Sequence, residues 1–108
     1  MNPLEIQKQL AELTAENSKG ADALYEAEVK LAHAENELDL IEQRAFIKNQ
    51  GTVADRTALA RLEAAEARLQ RDLAKAQANR IRVKIKGLET AIMAAATQAK
   101  LIQSELKI

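Results

Sequence analysis

The chain has 108 residues, 47% hydrophobic and 30% charged but only 2% aromatic, and its 16 basic and 16 acidic side chains leave a net charge of +0. The absence of cysteine excludes disulfides and thiolate metal sites, and the balanced charge predicts neither nucleic-acid nor membrane binding. Abundant alanine, leucine and charged residues indicate long packed helices in one domain, residues 1–108. With no signal peptide or membrane-spanning run apparent, we expect a cytoplasmic protein.

The first helix is predicted over residues 3–49. Asn2 suits the N-cap and Pro3 the first helical position. Apolar residues then follow alternating steps of four and three, which is typical of coiled-coil helices. This stripe comprises Ile6, Leu10, Leu13, Asn17, Gly20, Leu24, Ala27, Leu31, Ala34, Leu38, Ile41 and Ala45.

Two residues of this stripe need separate interpretation. The stripe keeps its phase across Gly20, so we expect a continuous helix there, with a break as the alternative. If Gly20 has room for a methyl group, Gly20→Ala should stabilise the fold by roughly 0.5–1 kcal/mol. Asn17 is a polar residue at an apolar position, which either fixes the pairing register or lies near solvent at a frayed edge.

A turn is predicted over residues 50–52. Gly51 fits a left-handed residue that ends a helix, Thr52 fits the next N-cap, and Asp55 fits the reciprocal position of a capping box. Because this loop is short, the helices should be antiparallel neighbours. Facing residues should have numbers that sum to roughly 102–103 if the turn is centred near Gly51.

The second helix is predicted over residues 53–106. Its early stripe comprises Ala58, Leu62, Ala65 and Leu69, and its late stripe comprises Ala78, Ile81, Ile85, Leu88, Ile92, Ala95, Ala99, Ile102 and Leu106. Steps of four between the two rotate the apolar face by about 40° each, so it wraps around the helix.

A wrapped apolar face exceeds what one partner helix can cover. We therefore predict an all-α, coiled-coil-like antiparallel two-helix hairpin that dimerises into a four-helix bundle. The predicted self-association residues are Ile92, Met93, Leu101, Ile102 and Leu106.

Charge is segregated between the helices. Acidic residues concentrate at 26–42 and basic residues at 68–86, which indicates complementary pairing across the hairpin. The alternative is a phosphate-binding patch, which we expect to be weak because no aromatic stacking residue accompanies it. The candidate nucleic-acid residues are Arg80, Arg82, Lys84 and Lys86.

Catalytic motifs are not recognisable. His33 is the only histidine, so one chain cannot form a two-histidine metal site, and the three glycines form no phosphate loop. We therefore predict no enzyme activity, no cofactor and no metal site.

The turn sequence also carries a resemblance. Residues 46–56, Phe-Ile-Lys-Asn-Gln-Gly-Thr-Val-Ala-Asp-Arg, resemble small Ala/Glu/Arg-rich bacteriophage proteins with a central Gly-Thr/Ser-Val-x-Asp/Glu-Arg turn, and residues 88–92 are similar to theirs. Asn49-Gln50 departs from that family, which often has an acidic residue before the glycine. The resemblance implies phage origin, often a gene among those for recombination or replication, and no catalytic residues.

Three functions follow as hypotheses. The first is an oligomeric, non-enzymatic interaction protein that binds a host or phage protein in the host cytoplasm. The second is a recombination or replication accessory with weak nucleic-acid contact through residues 80–86. The third is an inhibitor of a host defence system, acting as a protein mimic or as an oligomeric sponge for a small anionic ligand.

Overall fold

The computed structural model describes residues 2–106. This part of the chain contains three α-helices and no strand: α1 Pro3–Lys48, α2 Val53–Glu63 and α3 Ala65–Leu106. The all-α class is therefore confirmed. Across the same residues, no helix combines the length and apolar character needed to cross a membrane.

Helix α1 has the stripe that its sequence predicts. Asn2 Oδ1 accepts a hydrogen bond from Glu5 N at 2.9 Å, which is the geometry of an N-cap. The helix runs through Gly20 without interruption. All twelve residues of the predicted stripe are buried or half-buried, with Ile6, Ala27, Leu38 and Ala45 the most buried. Large and small side chains alternate along this face, so it can fit closely against another helix.

The connection between α1 and α2 is closed by local hydrogen bonds. Asn49 Nδ2 donates to Ala45 O at 2.7 Å at the end of α1. Gly51 has φ +118°, a conformation that favours glycine because a Cβ would be strained there. Thr52 Oγ1 accepts from Asp55 N, and Asp55 Oδ2 accepts from Thr52 N, so a capping box begins α2.

The second helical region differs from the predicted uninterrupted helix 53–106. It is interrupted at Ala64, which has φ −90° and ψ 6°. Ala64 N still donates to Ala60 O at 3.0 Å, and Arg68 N donates to Ala64 O at 2.9 Å. The irregularity is therefore a local distortion within a hydrogen-bonded ladder.

The predicted early stripe of the second helix is wrong. Ala58, Leu62, Ala65 and Leu69 are all exposed, Leu62 to 72%. The buried and half-buried residues instead keep alternating steps of four and three along α2 and α3, so the stripe does not wrap. This covered stripe comprises Ala60, Ala64, Ala67, Arg71, Ala74, Ala78, Ile81, Ile85, Leu88, Ile92, Ala95, Ala99 and Ile102.

Size complementarity explains the choice of alanine. The stripe of α1 brings bulky residues such as Leu31, Leu38 and Ile41 to the contact. Small residues on the facing helix allow the axes to approach closely, and a second row of leucines would hold them apart. Alanine therefore occupies the buried positions of the covered stripe, although leucine is the more hydrophobic residue.

Contacts group the chain into two compact units. Unit 1 comprises Met1–Leu24 with Arg80–Ile108, and unit 2 comprises Tyr25–Asn79. In unit 2, Lys48 pairs with Glu63 at 3.0 Å and Glu42 pairs with Arg68 at 3.1 Å. Numbers fall along α1 as they rise along α2 and α3, so the two segments of unit 2 are antiparallel.

Unit 1 also pairs antiparallel segments. Gly20 of α1 contacts Ile85 of α3, while Ile6 lies with Gln98 and Ile102 at a shallow groove. The predicted register placed residues 82–83 opposite Gly20, so the observed pairing is displaced by two to three residues. The numbers of Gly20 and Ile85 sum to 105, so their pairing is centred one to two residues beyond Gly51.

Candidate protein-interaction surfaces

The structure divides the residues predicted to mediate self-association. Ile92 and Ile102 are half-buried on the covered stripe, where they already pack within unit 1. Met93, Leu101 and Leu106 are 60–73% exposed. A contact with another molecule can therefore use the second group directly, whereas the first group supports the fold of one chain.

A row of exposed leucines runs along unit 2. Its members follow steps of three and four, and Leu62, Leu69 and Leu73 are each half or more exposed. At about 100° per residue, the row lies about 150° around the helix from the covered stripe. We call this row the outer leucine face, and it comprises Leu59, Leu62, Glu66, Leu69 and Leu73.

Unit 1 has an exposed face of small residues at the same steps of three and four. Val83 is 72% exposed, and a Cβ built on Gly87 would have no atom within 4 Å. Thr90 Oγ1 donates to Lys86 O and Thr97 Oγ1 donates to Met93 O, so both hydroxyl groups have partners within α3. We call this the small-residue face, and it comprises Val83, Gly87, Thr90, Ala94 and Thr97.

The four basic residues singled out from sequence do not form one patch. Arg80, Arg82, Lys84 and Lys86 are all exposed on α3. Their spacing of two residues turns each about 200° from the last, so Arg80 and Lys84 lie on one side of the helix and Arg82 and Lys86 on the opposite side. Lys84 joins Glu16 and Lys19 at a shallow groove beside Gly20 and Ile85. A continuous basic track for a phosphate backbone is not among the features of the described helices.

The two ion pairs between the segments of unit 2 have opposite polarity, since α1 supplies the acidic residue in one and the basic residue in the other. The pair from Glu42 to Arg68 links the acidic part of α1 with the basic part of α3, which is the polarity that the sequence predicts. Lys48 and Glu63 pair with the opposite polarity. The hydrogen bonds from Lys48 and Asn49 hold the pKa of the exposed Glu63 carboxyl below its ordinary value. Sequence segregation of charge therefore predicted only one of these two contacts.

A contact at the turn escaped the sequence reasoning. The Arg56 guanidinium lies 4.1 Å from the centroid of the Phe46 ring, and Arg56 Nε donates to Phe46 O at 3.0 Å. A cation over an aromatic face is attractive, and the hydrogen bond adds direction. The sequence did contain a hint of this contact, because the only phenylalanine and an arginine ten residues later flank the predicted turn.

Asn17 occupies its stripe position with its carbonyl buried. Asn17 Oδ1 is inaccessible to solvent and has no hydrogen-bond partner. Leaving such an atom unpaired costs about 1–3 kcal/mol. The burial disfavours a position at a frayed, solvated edge, and Oδ1 makes no hydrogen bond that would fix the register.

Groups suited to metal binding are missing from the described residues 2–106, where no three His, Asp or Glu side chains cluster. His33 is exposed. Comparisons with family models, with curated proteins and with solved structures found no match. The arrangement of exposed apolar faces is therefore the feature from which a function can be argued.

Proposed function

We propose that this chain is a non-enzymatic helical interaction protein: an antiparallel two-helix hairpin that self-associates into a four-helix bundle and acts by binding another protein. The observation that supports the proposal best is the alignment of exposed apolar side chains. Scattered exposed leucines are ordinary on protein surfaces, but a row at heptad spacing is typical of a helix that packs against a further helix.

The energetics favour covering this surface. Most side chains of the covered stripe in unit 2 are alanines, which contribute little apolar area to the core. Burying one exposed leucine side chain stabilises an assembly by about 1.5–3 kcal/mol. Leu62, Leu69 and Leu73 are 50–72% exposed, so each can contribute a large part of that stabilisation to an oligomer.

The proposal also includes the origin of the chain and the compartment in which it acts. The resemblance of residues 46–56 to bacteriophage proteins suggests a phage-encoded chain that acts in the host cytoplasm. The dispersal of Arg80, Arg82, Lys84 and Lys86 around α3 gives no support to a nucleic-acid function over a protein-binding one.

Light scattering coupled to size-exclusion chromatography tests this proposal. The purified chain should elute with a mass above that of one chain, and the mass should rise with loading concentration. Adding duplex DNA at physiological salt should leave the elution unchanged. A folded helical monomer at high micromolar concentration contradicts self-association, and co-elution with DNA favours the nucleic-acid accessory.

A further inference from the structure

The outer leucine face is flanked by negative charge. Glu66 lies within the row and Glu63 and Asp72 lie at its edges. If two such faces packed together antiparallel with the row in register, Glu66 would approach Glu66 of the other copy. Like charges in an interface are unfavourable. Glu63 already pairs with Lys48 and Asp72 with Arg71, so Glu66 is the charge in this face that favours a basic partner helix.

The small-residue face has the complementary properties. Arg80 continues its spacing by one step, and Lys84 and Lys86 lie at its edges. Val83, Gly87 and Thr90 leave shallow positions into which leucine side chains of another helix can fit. The small side chains and basic flanks of this face on α3 therefore complement the large leucines and acidic residues of the outer leucine face.

We propose that the segment 59–87 packs antiparallel against the same segment of a second copy, with Leu73 at the two-fold axis. Leu59, Leu62 and Glu66 of each chain then lie against Gly87, Val83 and Arg80 of the other. The inference rests on the proposed self-association and names its surface. Because that surface lies opposite the covered stripe, the two copies would meet through their second helices alone, in place of a four-helix bundle. Glu66 and Arg80 each lie seven residues from Leu73, on opposite sides of it. Pairing centred near Leu73 brings Glu66 of one copy beside Arg80 of the other, and the two-fold symmetry repeats this pair.

The same register is consistent at the flanking positions. Glu63 of one copy lies near Lys84 of the other, and Leu59 and Leu62 lie over Gly87 and Val83. In an antiparallel pair of helices, facing edge positions are the ones whose charges set orientation and partner choice. Opposite charges therefore face each other at Glu66 with Arg80 and at Glu63 with Lys84. Asp72 lies beside the axis near Asp72 of the other copy, where its charge is already paired with Arg71 of the same chain at 2.7 Å.

Reciprocal charge exchange tests the register. In a dimer of the variant Glu66→Arg, two basic side chains would meet at both symmetry-related contacts, and in a dimer of Arg80→Glu, two acidic side chains would meet there. Each variant alone should dimerise about tenfold or more weakly than the unaltered chain. An equimolar mixture of the two should recover association, because the first variant is basic at both positions and the second is acidic at both. Every contact between the two chains then joins opposite charges.

Sedimentation equilibrium measures all three samples, with circular dichroism to verify helicity. Glu89→Arg is the matched control, since Glu89 is exposed on α3 away from both faces, and it should associate like the unaltered chain. Recovery in the mixture also shows that the single variants are folded. If the single variants associate normally, or if the mixture fails to recover, the interface is wrong while self-association stands. If the unaltered chain is a monomer, the proposed function fails as well.

Discussion

Gly20 of α1 and Ile85 of α3 are in such close contact that a Cβ on residue 20 would lie 3.0 Å from Ile85 Cγ1. An ordinary carbon–carbon contact is about 3.5–4.0 Å, so the isoleucine would have to shift to admit a methyl group. The expected stabilisation by Gly20→Ala assumed room that the structure does not provide. Gly20 therefore permits a close approach of the two segments of unit 1.

Gly87 provides the matched control for this contact. It lies within α3, and a Cβ there meets no atom within 4 Å. At concentrations where the chain is monomeric, Gly87→Ala should raise the free energy of unfolding by roughly 0.5–1 kcal/mol, whereas Gly20→Ala should give no gain. Urea unfolding of both variants measures the difference. Equal gains would show that Ile85 moves aside at no cost.

Gly51 should be intolerant of any side chain. Its φ of +118° is unfavourable for alanine, and a Cβ would lie 3.2 Å from Asp55 Oδ2 in the capping box. Gly51→Ala should lower the free energy of unfolding by about 1–3 kcal/mol. Gln50→Ala, one residue earlier in the exposed connection, should change it by less than about 0.5 kcal/mol. Thermal unfolding followed by circular dichroism measures both, and similar losses would contradict the role of φ.

Leu38 belongs to the core and Leu62 to the outer leucine face, so truncating them should have different effects on stability. Leu38 is 7% exposed and Leu62 is 72% exposed. At concentrations where the chain is monomeric, Leu38→Ala should cost about 2–4 kcal/mol in the free energy of unfolding, and Leu62→Ala less than about 0.5 kcal/mol. Chemical unfolding at low concentration provides the comparison. A large cost at Leu62 in the monomer would restore the stripe predicted from sequence.

This contrast shows how far the sequence predicted the fold. The α1 stripe was readable because Leu24, Leu31 and Leu38 recur at heptad spacing with small residues between them. The second stripe was missed because hydrophobicity favours Leu62 and Leu69 over Ala60 and Ala64. Extending the four-three spacing backward from the late stripe through Ala78 and Ala74 would have found it. Which leucines face another chain depends on how tightly the partner helix packs, and hydrophobicity alone does not contain that information.

The caps of the helices were easier to predict from sequence than the contacts between helices. Gly51, Thr52 and Asp55 form the predicted geometry because capping depends on neighbours within three residues. The contact of Arg56 with Phe46 and the ion pair of Lys48 with Glu63 depend on the register between helices, which the sequence predicted with an error of two to three residues. Long side chains reach different partners when the register moves by less than one turn.

The ion pair at the turn should make stability depend on pH. Glu63 has a pKa below its ordinary value of 4.5, primarily because Lys48 Nζ donates to its carboxylate. A lowered pKa in the folded state stabilises the fold above the ordinary pKa, and the contribution disappears as the pH falls through the folded-state value. A double-mutant cycle with Lys48→Gln and Glu63→Gln should therefore show a small favourable coupling at neutral pH that declines as the pH falls below the ordinary pKa of the carboxyl and is lost once Glu63 is protonated in the folded chain. Coupling that persists in acid would contradict this origin.

The most direct measurement of whether two copies meet through α3 uses a single cysteine. The chain has none, so Leu73→Cys introduces the only thiol. Leu73 lies beside the proposed two-fold axis, while Glu89→Cys places an exposed thiol on α3 away from it. With a short bis-maleimide, Leu73→Cys should form covalent dimers at least about tenfold faster than Glu89→Cys, at equal rates of labelling by a mono-maleimide. Equal and slow cross-linking of both variants would contradict the proposed meeting of two copies at this face.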